Sequence, residues 1–288
     1  MMGDIFSYLY QFADVFAFLI LSAAGLAIVF GMMGIINMAH GEFIMCGAYV
    51  TVGLVHTGFP LIAAQLCGAI VAGLIGVLIE VVIVRRFYKR PEDSLLATWG
   101  LSLMVTQGTL LVIGSTVTGI GTPPGSFTVG EYSFSTYRMI LFGASIAVLV
   151  FIYFVFMRTK FGVMARATMQ DATTARALGV KISWIYAITF GLGAGLAGLC
   201  GGLYAPTMSL IPTMGSTFVV ESFVTVVIGG ANVLMGTAPA GVLLAIIRTT
   251  LNAWHGQIVG QIGLLIAVIL VIRVLPDGIT GWMNRHMR

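Results

Sequence analysis

Charge is what this chain has least of. Only 8% of its 288 residues are Asp, Glu, Lys or Arg, against about 25% in an ordinary soluble domain. No Lys or Arg occurs before Arg85. With 59% hydrophobic residues and a mean hydropathy of +1.05, too little polar surface exists to cover a soluble core, so that class is excluded. Strict alternation is missing from the long apolar runs, which excludes a transmembrane β-barrel. Cysteine is scarce. Cys46, Cys67 and Cys200 lie in or beside apolar runs without CxxC spacing and read as small core residues rather than a disulfide framework or metal site. The chain opens with Asp4 and Asp14 rather than the basic region of a cleavable signal peptide. None of its three lysines, Lys89, Lys160 and Lys181, follows a glycine, so it has no phosphate-cradling Walker A loop. No GxSxG, HExxH or Ser–His arrangement supplies a nucleophile and its base.

What the chain does have is apolar length. Crossing about 30 Å of hydrocarbon takes roughly 20 helical residues. Apolar runs cover about 12–33, 43–55, 61–84, 95–115, 139–157, 182–204, 218–233, 238–254 and 258–275. The second is short for a crossing, and only His255-Gly256-Gln257 parts the last two. The expected class is an all-α polytopic membrane bundle of eight or nine spanning or half-spanning helices. Its 37 glycines suit close helix packing and helix breaks. Gly191, Gly193, Gly195 and Gly198 in particular give small-residue faces for close helix packing.

The few cations report sidedness. Arg85, Arg86, Lys89 and Arg90 form one cluster; Arg158, Lys160, Arg166, Arg176 and Lys181 a second; Arg285 and Arg288 close the chain. Positive loops stay in the cytoplasm, which places all three stretches and the C-terminus inside and the N-terminus outside. Residues 116–137 have no Lys or Arg and are assigned to the outer face, where FTVGEYSFSTY alternates as a small hairpin does.

A handful of polar residues interrupts the apolar runs. Asn37, His40 and Glu42 lie in a glycine-flanked break. There they either line a solute path, as unwound helices do in transporters, or satisfy the broken helix and meet water in a turn. Glu80 lies one turn before Arg85 and pairs with it or snorkels. Glu221 either hydrogen-bonds within the bundle or faces a cavity. Arg248 and Asn252 lie one turn apart in an apolar run. An arginine at depth demands a partner, for which Glu221 is the candidate; the alternative places Arg248 near the interface. His40 and Glu42 are too few for a metal site.

The longest polar insertion is RTKFGVMARATMQDATTARALGVK, residues 158–181. Residues 163–178 favour helix, Asp171 suits the N-cap of a short helix from Ala172 to Leu178, and Gly179 sits where a C′ glycine belongs. This stretch resembles the cytoplasmic coupling loop of ABC-importer permeases, although the EAA triplet and later Leu-Pro of that loop are absent. A closer similarity is to the LivH-type permeases of the hydrophobic amino-acid and amide uptake group. It rests on GLAIVFG (25–31), GIINMAHGE (34–42), Gly47-Ala48-Tyr49, RTKFGVMARA (158–167), Ala177-Leu178-Gly179, Gly229-Gly230 with Gly236-Thr237, and Leu275-Pro276-Asp277-Gly278.

That resemblance implies a single transmembrane permease domain over residues 1–288 in the bacterial inner membrane. It implies an importer of branched-chain or other hydrophobic amino acids, or of urea and short amides, working by ATP-driven alternating access. Its expected partners are a second, LivM-type permease, two cytoplasmic ATPase subunits, a periplasmic binding protein and membrane lipid, with no nucleic acid. ATP and Mg are expected on the ATPases, with no cofactor on this chain. Arg166, Gln170, Asp171, Ala172, Ala175, Arg176, Leu178 and Gly179 are the expected coupling residues. Asn37, His40, Glu42, Glu221, Arg248 and Asn252 are path candidates. A stand-alone secondary transporter or channel is the competing class, and continued uptake without an ATPase would distinguish it.

Overall fold

A computed structural model describes residues 2–88, 90–230, 236–275 and 278–281. Eleven α-helices dominate the described residues: α1 (Met2–Met33), α2 (His40–His56), α3 (Leu61–Val82), α4 (Pro91–Ile113), α5 (Thr136–Arg158), α6 (Lys160–Gln170), α7 (Ala172–Ala177), α8 (Ile182–Tyr204), α9 (Met214–Gly229), α10 (Ala238–His255) and α11 (Gln257–Val274). Six helical stretches among the described residues are long and apolar enough to cross a membrane: Gly3–Met33, Leu61–Val82, Glu92–Ile113, Thr136–Arg158, Ile182–Thr207 and Gln257–Gly281. Several boundaries differ from the sequence reading. α1 begins some ten residues before Phe12, because its first turns pack on the hairpin rather than on hydrocarbon. Asp171 turns extended between α6 and α7 and caps the second, as expected, and that short helix ends at Ala177 rather than Leu178. Of the cationic stretches, Lys89, Arg285 and Arg288 lie outside the described residues.

α1 is the axis of the bundle. One face joins α2, α5 and α8 in a large core that includes Ala17, Leu21, Ile28, Phe43, Leu141 and Phe190. The other carries Phe16, Leu19 and Ile20 onto Ile228, Leu244 and Leu264 of α9, α10 and α11. Glycine lets the first half close tightly. A Cβ at Gly47 of α2 would overlap the carbonyl oxygen of Gly198 on α8, and one at Gly25 would overlap that of Gly193. The glycines of α8 thus form backbone-to-backbone seams with more than one neighbour, the close approach that small residues allow between helices in lipid. Gln65 ties the same half together, its amide donating to the Tyr137 hydroxyl (3.1 Å) and the Gly202 carbonyl (3.2 Å). Large side chains of α3, α4, α5 and α11, such as Ile62, Leu111, Phe154 and Ile269, point outward, as membrane-facing helices require.

The two ends of the bundle differ in chemistry. The 3-10 turn Val84–Phe87 and the α6–α7 pair share one end, where the rings of Tyr88 and Tyr186 meet edge to face at 4.9 Å. Arg85, Arg86, Lys160, Arg166 and Arg176 belong to these segments, and Arg90, Arg158 and Lys181 flank them at the ends of α4, α5 and α8. The other end carries the expected hairpin, β1 (Ser126–Val129) and β2 (Tyr132–Ser135) in antiparallel register. Gly130 takes φ +65° in its two-residue turn, where glycine costs least. The hairpin clamps the start of α1. Phe6 packs on Phe127 and Phe134, and the Tyr10 hydroxyl donates to the Ser135 carbonyl at 3.0 Å.

Candidate translocation and coupling sites

Four charges converge near the hairpin end. Asp14 comes from α1, Arg138 from the first turn of α5, Glu221 from α9 and Arg248 from α10. Arg138 pairs with Asp14. Arg248 Nη1 donates to Glu221 Oε2 at 2.5 Å, with the Glu221 side chain only 6% exposed. The pairs border one cavity of about 340 Å³, completed by Val15, Phe18, Leu141, Tyr204, Thr207, Met208, Thr217 and Gln261. It lies between the halves that α1 joins. One wall faces α5 and α8, the other α9, α10 and α11. The Glu221–Arg248 pair is largely buried, where desolvation costs energy that the attraction only partly returns, whereas Asp14–Arg138 is more exposed.

The structure joins Glu221 to Arg248, the partner expected for a deep arginine. It also brings in Asp14 and Arg138, which the sequence reading passed over. Their signal was present, since Asp14 is a lone charge just inside one apolar run and Arg138 immediately precedes another. Asn252 stands apart, packed on Gly260 of α11. Asn37, His40 and Glu42 form a separate constellation. Asn37 Oδ1 accepts from the Ala39 amide at 3.1 Å, His40 Nε2 lies 2.9 Å from the Ser22 carbonyl, and Glu42 Oε1 accepts from Ser102 (2.8 Å) and Thr106 (3.1 Å) on α4. His40 and Glu42 lie in the first turn of α2 rather than in the preceding break. They hold α1, α2 and α4 together and do not reach the cavity. Glu80 makes a two-pronged bridge to Arg85, at 3.3 and 3.1 Å.

The coupling segment is built from well-formed caps. Thr159 accepts from the Gly162 amide (3.1 Å) to start α6. Asp171 starts α7, accepting from the amides of Thr173 (2.8 Å) and Thr174 (3.2 Å) and from the Thr174 hydroxyl. α7 ends in a Schellman turn. Gly179 at φ +89° donates to Arg176 and Val180 to Ala175, both at 3.0 Å. Ala175 is buried, whereas Gln170, Arg176 and Leu178 are exposed, Leu178 by 79%. Arg166 turns back to donate to the Phe156 carbonyl at the end of α5, where a cation also meets the negative end of the helix. It braces the loop instead of presenting to solvent.

Hydrogen bonds from Thr174 and then from the two amides hold the Asp171 carboxyl below its usual value. A carboxylate lowered on folding stabilises the cap above its ordinary pKa of about 3.9, and that contribution is lost as pH falls through the lowered value. Asp171→Ala is expected to abolish hydrogen-exchange protection of the Thr173 and Thr174 amides at neutral pH. Asp171→Asn should keep most of it, since both residues cap well. Equal protection in the alanine variant would show that the cap does not organise α7.

An all-α bundle whose long apolar helices turn large side chains outward defines a multi-pass membrane protein. The chain belongs to the family described as branched-chain amino acid transport system / permease component, whose model matches residues 8–275. It is 30% identical to the high-affinity branched-chain amino acid transport system permease protein LivH of Escherichia coli K12, over 91% of this chain and 90% of that one. It is 28% identical to BraD of Pseudomonas aeruginosa, a permease protein of the same description, over 97% and 98% of the two chains. A probable LivH of Methanocaldococcus jannaschii is 25% identical over 91% and 88%. No solved structure matches the chain.

Proposed function

We propose that this chain is the permease subunit of an ATP-driven importer of branched-chain or other hydrophobic amino acids. α6 and α7 serve as the seat for a cytoplasmic ATPase. The observation that carries this reading is the shared end of the basic segments. Eight cations lie in the turn after α3 and in the segments around α6 and α7, as positive loops do on the cytoplasmic side. On that side α7 offers Arg176 beside exposed Leu178 and a notch of about 460 Å³ formed by Arg176, Gly179, Val180, Lys181, Ile182 and Ser183.

In this reading the N-terminus and hairpin face the periplasm of a bacterial inner membrane, and the C-terminus faces the cytoplasm. A binding protein delivers solute at the hairpin end, and a distinct LivM-type permease completes the pathway. Nucleotide-driven closure of two ATPase subunits pushes α7 and biases the bundle between its two access states, a population shift set by differential affinity.

Arg176→Glu is expected to abolish co-purification with the ATPase and to lower leucine uptake by vesicles at least tenfold, while the permease still accumulates. The assay needs arms for leucine, urea and acetamide, with and without the ATPase. Leucine uptake that persists without ATPase would make the chain a stand-alone transporter. Uptake of urea or acetamide alone would reassign its cargo.

A further inference from the structure

The paired charges around the 340 Å³ cavity allow a more specific assignment. We propose that this cavity binds the zwitterionic backbone of an α-amino acid, its ammonium between Asp14 and Glu221 and its carboxylate between Arg138 and Arg248. The inference rests on the importer reading and adds that the permease itself, not only a binding protein, recognises the α-amino and α-carboxyl groups.

Three observations support it. First, the charge count matches. Two acids and two guanidiniums border the void, so a zwitterion adds no net charge and gives every group a second counter-ion. Urea or an amide would leave the two pairs as they are, and a lone anion or cation would unbalance them. Guanidiniums suit carboxylates because their planar donors match the two oxygens. Second, the Tyr204 hydroxyl at this cavity is buried without a hydrogen-bond partner. Buried hydroxyls almost always have one, and a ligand carboxylate or amine supplies it. Third, Val15, Phe18, Leu141 and Met208 give the wall an apolar part beside the polar Thr207, Thr217 and Gln261. The volume of about 340 Å³ equals about eleven waters at roughly 30 Å³ each, ample room for one small amino acid with an aliphatic side chain.

The test uses the full permease–ATPase complex in nanodiscs, with no binding protein present, and tritiated leucine as probe. Saturable leucine binding is expected, and competition by 4-methylpentanoate or isopentylamine, which each lack one charge, should be at least tenfold weaker than by leucine. Asp14→Asn with Arg138→Gln removes one pair as a unit, leaves no orphan charge and should weaken leucine binding at least tenfold. Co-elution of that variant with the ATPase checks its assembly, and Tyr204→Phe, a smaller change, should weaken binding severalfold. If wild-type complexes accumulate leucine in vesicles but the nanodisc complex shows no saturable binding, the cavity assignment falls and the importer reading stands. Leucine binding unchanged in the assembled pair-neutral variant has the same consequence, as does equal competition by the singly charged analogues. Failure of leucine uptake itself, with urea carried instead, overturns both.

Discussion

Arg248→Met alone is expected to eliminate the monodisperse folded protein in detergent extracts. It leaves the Glu221 carboxyl, only 6% exposed, without its counter-ion. Removing one partner of a buried pair costs about 3–5 kcal/mol, a large share of a total stability of about 5–15 kcal/mol. Combining Arg248→Met with Glu221→Gln removes both charges and should restore the folded peak in fluorescence-detected size exclusion. Leucine binding should remain lost, because half of the charged wall is gone. The double-mutant cycle gives the coupling directly. Rescue of folding without rescue of binding separates the structural and functional roles of the pair. A single variant as stable as wild type would mean that the 2.5 Å contact contributes nothing to the fold.

The second large effect is a reversal of sign within one helix. Gly47→Ala puts a methyl group against the Gly198 carbonyl, and the obstacle is backbone of α8 rather than a movable side chain. Overpacking a tight core costs about 1–3 kcal/mol even where side chains can yield, so a cost of about 3 kcal/mol or more is expected here. Gly53→Ala, six residues further along α2, meets nothing within 4 Å. It should stabilise by up to about 1 kcal/mol through helix propensity. Thermal unfolding of the two variants side by side is the measurement. Equal shifts would disprove a backbone seam between α2 and α8.

Much of the architecture was legible from local chemistry. Gly130 between alternating segments announced the hairpin, and Asp171 and Gly179 announced both ends of α7. Glycines 191, 193, 195 and 198 announced the seams, because glycine at helical spacing has few other uses. Helix propensity runs through residues 163–178, and the capping residue Asp171 alone marks the break between α6 and α7. The site was half legible. Arg248 pointed to Glu221 because deep charges need partners. Asp14 and Arg138 escaped because each sits near the start of a run, where an interfacial position explains a charge equally well. Only tertiary packing shows that α1 and α5 bring them to the same void. The glycine-flanked break left His40 and Glu42 readable either as path residues or as groups that satisfy the broken helix, and their hydrogen bonds to Ser22, Ser102 and Thr106 join α2 to α1 and α4.

The Asp14–Arg138 bridge spans 124 residues of sequence, and this constrains how the protein is made. Ribosomes add about 5–20 residues per second, so the aspartate emerges roughly 6–25 s before its arginine exists. Throughout that interval the nascent first helix carries an acid with no counter-ion, costly to leave in lipid. It must wait at the translocon, at the headgroups or beside a chaperone until the fifth helix arrives. The latter half faces no such delay, because Glu221 precedes Arg248 by only 27 residues.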